Sequence, residues 1–453
     1  LLERDSCLSV APPRLRDRQG AGRDEVPKVP LPRPVQTLRF VVRPLPFFEH
    51  WRRELGETFR ASIFGPGELI FVSDPESLKR LFGADRINTI APGRNIVLKP
   101  LLGPGSLLLQ EDDEHLRRRK LMLPPFHGER MRAYEGVIAG ATERAVASWP
   151  VGEPFALHPS MQAITLEVIL RAVFGVEDDD RRAELREGLV AVLAATASPR
   201  AVGLMVPGLR RLPPYRRLAA RLVRIDEVLA AEIAERRSDP RLEERTDILS
   251  MLVAAEFDDG SRMGDSELRD QLMTLLLAGH ETTATALAWT FDLLFHRPDA
   301  LARLTAEVRA GERDYLDAVI EESLRIRPVV PFTGRELREP AELGGYALDA
   351  GAIVMAAIYL THTRPDVYPE PHAFRPERFL GGGGETYSWL PFGGGTRRCI
   401  GAAFAQFEMR VALETILRSC DLRAGSSEPE RAIRRNVTLS PARGTPAVLD
   451  RRR

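Results

Sequence analysis

The 453-residue chain has only three cysteines, Cys7, Cys399 and Cys420, far apart and without CxxC spacing. So few thiols exclude a disulfide framework, and their spacing excludes a ribbon or finger type of zinc site. A reducing, cytoplasmic setting is expected. Net charge is missing as well: Lys+Arg and Asp+Glu each number 64, so no global field favours nucleic acid. Lysine occurs only as Lys28, Lys79, Lys99 and Lys120, and arginine carries the remaining positive charge. The longest purely apolar runs, such as Ala352 to Leu360, fall short of the ~18 to 20 residues that cross a bilayer. Charges from Glu3 onward leave no secretory h-region, so a soluble protein without a membrane span is expected. No linker and no repeat of 20 to 50 residues divides the chain, and one large domain is expected over residues 26–453. Residues 1–25, arginine-rich and poor in apolar side chains, read as a disordered tail or an artefactual extension.

What the chain does contain is a glycine-rich turn that ends in a thiol, Phe392-Gly393-Gly394-Gly395-Thr396-Arg397-Arg398-Cys399-Ile400-Gly401. The run from Ala402 to Ile416 reads as helix, so Cys399 should lie at a helix N-terminus. Free N–H groups there, with Arg397 and Arg398, favour a thiolate and should lower its pKa. Three chemistries compete for such a loop: phosphate cradling, nucleophilic catalysis, and metal or haem ligation. Gly393 to Arg397 lacks the GK[ST] ending of a P-loop.

Ahead of that loop, prolines recur from Val26 to Pro46 and predict an extended segment lying over the surface. Thr58 to Ile63 and Leu69 to Val72 flank Gly65-Pro66-Gly67 as a hairpin. Asp74 caps a helix with Pro75 at its first position. Residues 87–109 hold Leu98, Leu101, Leu102, Leu107, Leu108 and Leu109 among glycines and prolines, the composition of a core loop or of a lid over an apolar ligand. Glu111 to Leu123 is helical and places His115 and Arg119 four apart on one face, where they can share an anion. From Glu129 to Glu256 the chain is mostly helical, as in Met161 to Phe174 and Arg217 to Arg236. Ser198 to Pro214 is a second apolar, helix-poor stretch, read as a flap or a connection.

Asp265 to Phe295 has no proline and an acidic start, which predicts one helix of roughly 45 Å. It is apolar nearly all round, so it should cross the core. A polar cluster interrupts it: Ala278-Gly279-His280-Glu281-Thr282-Thr283. Thr282 can bond back to the Ala278 carbonyl, and Gly279 removes bulk. A lone threonine there would be satisfied by its own backbone. An acid beside two threonines and a glycine favours a proton relay beside a ligand. His280-Glu281 begins like HExxH, but Ala284 stands where the second histidine is needed.

Assembled, these residues resemble the cytochrome P450 superfamily of haem-thiolate monooxygenases, in the manner of its bacterial members. Phe392, Gly395, Arg397, Cys399 and Gly401 fit its F-x-x-G-x-[HRK]-x-C-x-G pattern. Ala278-Gly279-x-Glu281-Thr282-Thr283 matches its oxygen-activation helix. Glu322-Ser323-Leu324-Arg325 matches its E-x-x-R helix, and Arg378 in Pro376-Glu377-Arg378-Phe379 would complete a structural cluster with Glu322 and Arg325. The resemblance implies a mainly α fold with small β-sheets, with haem b between the long helix and the cysteine loop. Cys399 would be the axial iron ligand, and His115, Arg119, Arg335 and Arg397 would hold the haem propionates. It also implies insertion of one atom of O2 into an apolar substrate such as a fatty acid, a terpene or another secondary metabolite. Glu281 and Thr282 would deliver protons. Ala278, Gly279, Val329, Val330, Phe332, Leu98 and Leu102 would line the pocket.

Electrons would come from a separate ferredoxin or flavodoxin with an NAD(P)H-dependent reductase, docking on Arg117, Arg118, Lys120 and Arg398. A monomer is expected. A peroxide-driven haem-thiolate peroxygenase and a non-catalytic haem-thiolate sensor are the rival readings.

Overall fold

The computed structural model describes residues 25–83, 88–89, 99–196, 213–382, 384–435 and 437–453. The expected tail, Leu98 and most of the 198–214 stretch lie outside the described residues.

The helix Asp265–Phe295 is continuous, starts and stops where its pattern predicts, and is the axis of the molecule. Glu267 caps it by accepting the Gly264 N–H at 3.1 Å. Leu268, Leu272, Leu276, Leu287, Phe291 and Leu294 are buried on several faces of this central helix. Each such side chain contributes about 1.5–3 kcal/mol relative to exposure. Around it pack the helices Leu157–Val168, Asp314–Ile326 and Ala402–Ser419. A short π-helix, Ile169–Val173, continues Leu157–Val168 where the sequence predicts one unbroken α-helix.

Beside this helical body lies a five-stranded sheet in the order 58–63, 67–72, 353–356, 333–337, 88–89. Its first two strands form the predicted hairpin, with Thr58 opposite Val72 and Ile63 opposite Gly67. The remaining strands form a three-stranded sheet and two hairpins. Asp74 caps the next helix as expected, accepting the Ser77 N–H at 2.8 Å.

One expectation is overturned. The proline-rich segment 26–46 is not extended throughout: it holds the helix Arg33–Val42 and the start of a second, Pro44–Leu55. Pro34 and Pro44 each fall in a first turn, where the missing N–H costs nothing and the fixed φ suits the helix.

Residues 99–109 form a fixed wall. Ser106 shares a hydroxyl contact with Thr274 at 2.7 Å, and Gly105 N–H donates to Asp270 at 2.8 Å. Gln271 accepts from Leu107 N–H at 3.0 Å and donates to the Gly105 carbonyl at 2.6 Å. Gly103 has φ +80°, and a Cβ there would overlap the Asp270 carboxylate at 1.9 Å. The polar residues of the central helix's N-terminal half thus serve as a strap for this segment. Among the described residues no helix is long and apolar enough to cross a membrane.

Candidate active site

The cysteine loop is built by two left-handed glycines and the helix Pro75–Gly83. Gly393 and Gly395 both have φ +69°. A Cβ on Gly395 would come within 2.3 Å of the Phe82 carbonyl oxygen, so only glycine permits this approach. The turn closes when Cys399 N–H donates to Phe392 O at 2.9 Å and Arg398 N–H donates to Gly395 O at 3.0 Å. Phe392 rests against Trp389, with ring centroids 6.2 Å apart. Cys399 then lies just ahead of the ligand helix Ala402–Ser419, whose N-cap is Gly401. A Cβ on Gly401 would meet no protein atom within 4 Å, so the protein's own packing does not demand that glycine.

Cys399 retains exposed surface, yet protein surrounds it closely, which places its sulfur in an internal crevice. Burial raises its thiol pKa above the ordinary range, outweighing the Gly401 N–H, Arg119 and Arg398, which pull it down. The expected lowering is therefore reversed in the free thiol: desolvation exceeds the helix-end and arginine effects. Cys420 is buried, donates to the Ile416 carbonyl at 3.3 Å and has a thiol pushed up to about 12, so it is inert.

Four basic residues expected at one edge are brought together there. Burial, followed by Arg397, Arg119 and Arg335, drives the His115 pKa down to about 4. Arg397 donates to the carbonyls of Leu107 at 3.4 Å and Gln110 at 2.5 Å, and Arg335 to that of Gly334 at 2.9 Å. Arg119 feels the Cys399 sulfur electrostatically. This concentration of cations beside an accessible thiol fits a flat apolar group with two carboxylates and a metal that accepts sulfur.

Beyond the first turns of the central helix, exposure appears in one short window. Ala278 is exposed and Leu277, Gly279, Glu281 and Thr282 are partly so, between runs of buried residues. Thr282 donates to the Ala278 carbonyl at 2.6 Å, the back-bond expected of it. Glu281 turns toward the facing helix Leu157–Val168, where Gln162 Nε2 donates to it at 2.5 Å. A Cβ on Gly279 would meet only Ile169 Cδ1, at 3.4 Å. That is an ordinary van der Waals contact, so no protein atom requires glycine at this position.

Glu322, Arg325 and Arg378 also come together. Arg325 grips Glu322 through Nε at 2.6 Å and Nη2 at 2.8 Å, both side chains fully buried, while Arg378 Nε lies 3.4 Å from Glu322. Sequence reasoning missed His362. Its Nδ1 bonds the Arg325 carbonyl at 3.0 Å and its Nε2 accepts the Leu390 N–H at 2.7 Å, coupling this cluster to the start of the cysteine loop. Glu408 was missed too. Fully buried on the ligand helix, it bonds Thr283 of the central helix, and burial pushes its pKa up to about 8. A helical pattern marks both as inward-facing, but their partners are remote in sequence.

Among the expected pocket residues, Val329 is buried and Val330 half-buried. Leu102 is sealed in the main core and presents no surface to a pocket. Phe332 packs with Phe40, Phe48 and Phe71 at centroid distances of 5.5, 5.8 and 6.2 Å, so its ring belongs to the N-terminal aromatic cluster. The expected docking cations are largely neutralised within the chain. Arg117 pairs with Asp259 at 2.6 Å, Lys120 with Asp258 at 2.8 Å and Arg118 with Glu267 at 2.6 Å.

Known proteins share this arrangement. The sequence profile of the family described as Cytochrome P450 matches residues 27–445. Cytochrome P450 137 of Mycobacterium tuberculosis is 42% identical over 397 residues, covering 87% of this chain and 83% of its own. Cytochrome P450 135B1 of Mycobacterium bovis is 43% identical over 417 residues, covering 90% and 88%. Retinoic acid bound cyanobacterial CYP120A1 superposes with a TM-score of 0.80 at 25% identity, covering 95% of this chain and 100% of its own. The cytochrome P450DA heme domain gives 0.81 at 24%, covering 94% and 98%. The chain therefore belongs to the cytochrome P450 family: it takes haem as its cofactor and is a haem-thiolate monooxygenase that depends on O2 and a redox partner.

Proposed function

We propose that this enzyme hydroxylates an apolar small molecule of the fatty acid, terpene or related secondary-metabolite class, with electrons from a separate ferredoxin or flavodoxin and its NAD(P)H-dependent reductase. The observation that carries the reading is the short exposed window of the central helix, where exposed Ala278 offers apolar surface and the acid and alcohol Glu281 and Thr282 are both partly exposed. A retinoic-acid-bound neighbour supports the substrate class, since retinoic acid is an isoprenoid chain ending in a carboxylate.

Haem with a thiolate ligand supplies reductive activation of O2. Cys399 would be that ligand, and His115, Arg119, Arg335 and Arg397 would hold the two propionates. The Thr282 hydroxyl donates to Ala278 O, which leaves its oxygen free to accept a hydrogen bond and hold a water in the crevice. Glu281 carries protons to that water as a general acid. Val329 and Val330 would contribute apolar wall.

Four measurements test this. The reduced carbon monoxide complex should show the thiolate red shift, and its absence would sink the ligand assignment. A spin-shift screen with fatty acids, terpenes and macrolide-like compounds should find binders in the first two classes. Binder-stimulated NAD(P)H oxidation with a surrogate ferredoxin or flavodoxin separates a monooxygenase from a sensor, and product made only with added peroxide would favour a peroxygenase. Thr282→Ala should keep haem and NAD(P)H oxidation, lower product per NAD(P)H several-fold and raise hydrogen peroxide release. An unchanged yield would remove Thr282 from the relay.

A further inference from the structure

Glu281 does not point at Thr282. Its Oε2 accepts from Gln162 Nε2 at 2.5 Å, and its Oε1 lies 3.5 Å from Thr285 Oγ1 and 3.8 Å from His158 Nε2. His158 Nε2 also meets Thr285 Oγ1 at 3.2 Å, so the facing helix Leu157–Val168 encloses the carboxylate on two sides. The register of that helix is fixed beside the acid: Thr165 Oγ1 donates to the His280 carbonyl at 3.0 Å, and the His280 ring bonds the Gln162 backbone.

We propose that Gln162 is a positioning residue that parks the Glu281 carboxylate away from Thr282, and that proton delivery proceeds when the carboxylate exchanges Gln162 for the water held at Thr282. The inference rests on the relay role given to Glu281 above. The chemistry of the partner makes the exchange practicable. An arginine or lysine released by Glu281 would be left as a partly buried, unpaired charge, whereas a half-buried amide can turn to water. His158 is no cation either, because burial holds its pKa down to about 4. The other ionisable groups around this site are His280, also held to about 4 by burial, Arg435, which acts on His158, and Glu408, bonded to Thr283. Thus the carboxylate is held by neutral donors. At each swing the carboxylate takes up one proton from solvent, gives it up to the water at Thr282 and returns to carboxylate, so two swings supply the two protons that reduction of O2 to product and water consumes.

The direct readout is the titration of the Glu281 carboxyl in the haem-loaded protein, followed by difference infrared spectroscopy of wild type against Glu281→Gln. Gln162→Leu removes the donor at similar volume and should move that titration to higher pH. Gln162→Lys replaces it with a cation and should move it to lower pH. In turnover, with a surrogate ferredoxin and reductase, Gln162→Lys should slow NAD(P)H oxidation several-fold and enlarge the solvent deuterium isotope effect. Gln162→Leu should shift the acid limb of the pH profile upward, and added to Glu281→Gln it should change nothing further. If Glu281→Gln itself leaves yield and isotope effect at wild-type values, the relay reading fails and the parking role fails with it. If Glu281→Gln is impaired but both Gln162 variants keep the wild-type titration, pH profile and isotope effect, the parking role alone is overturned.

Discussion

Glu408 shows how one buried side chain limits the pH range of the fold. It is enclosed between the ligand helix and the central helix, its Oε1 has no partner, and it is protonated near neutrality because its pKa rises from 4.5 to about 8. The sign of its effect follows from linkage. The folded state binds this proton more tightly than the unfolded state, so the stabilisation is complete below pH 4.5 and is lost as pH rises through about 8. Wild-type unfolding free energy should therefore fall by about 1.4 kcal/mol per pH unit between pH 4.5 and about 8 from this group, and level off above that. Glu408→Gln, measured by urea unfolding from pH 6 to 10, should flatten that limb. Gly395 is constrained by different physics. With φ +69° and a Cβ only 2.3 Å from the Phe82 carbonyl, Gly395→Ala should distort the cysteine loop and reduce haem incorporation sharply, read as haem per protein. The loop's glycines were legible as conformational punctuation, but the atom that makes Gly395 indispensable comes from a helix more than 300 residues earlier.

At the scale of elements, the central helix distributes its polar residues by partner. Asp270, Gln271 and Thr274 strap residues 103–107, Glu281 and Thr285 face the helix Leu157–Val168, and Asp292 receives the Glu430 N–H at 3.1 Å. The strap also bears on the cofactor edge, because the carbonyls of Leu107 and Gln110 hold Arg397. Asp270→Ala leaves the Gly105 N–H without its acceptor, which should cost about 1–3 kcal/mol. It should lower Tm and weaken haem retention together, whereas loss of only one would separate the strap from the propionate edge. The length and burial of this helix were readable from an uninterrupted apolar pattern. Which turn faces which neighbour was not, since a helix apolar all round has no amphipathic stripe to orient it.

Across the described residues, the buried neutral histidines His158, His280 and His362 join His115 in setting the acid limit. Burial holds the pKa of His158 and His280 down to about 4 and that of His362 to about 3, against 6.5 for the free side chain. The unfolded chain therefore binds more protons between those values, and stability is complete above pH 6.5 and lost as pH falls toward 4 and below. Thermal unfolding scanned from pH 7.5 to 4 should show Tm falling from about 6.5 downward, earlier than carboxylate protonation alone would produce.

By itself the sequence determined the family and the main axis. These depend on short motifs and one long periodic run, both of which are local properties of the chain. The Phe392–Gly401 pattern, the acid and threonine in the central helix, and the basic residues for an anionic edge could all be read in linear order. The tertiary structure decided how those residues are used. It turned Glu281 toward Gln162, sealed Leu102 in the core and gave Phe332 to an aromatic cluster. It also paired three intended docking cations with acids of the same chain and raised the Cys399 pKa instead of lowering it. The physical reason is the same in each case. Side-chain orientation, ion pairing and desolvation depend on groups remote in sequence, and only packing brings those groups within interaction distance.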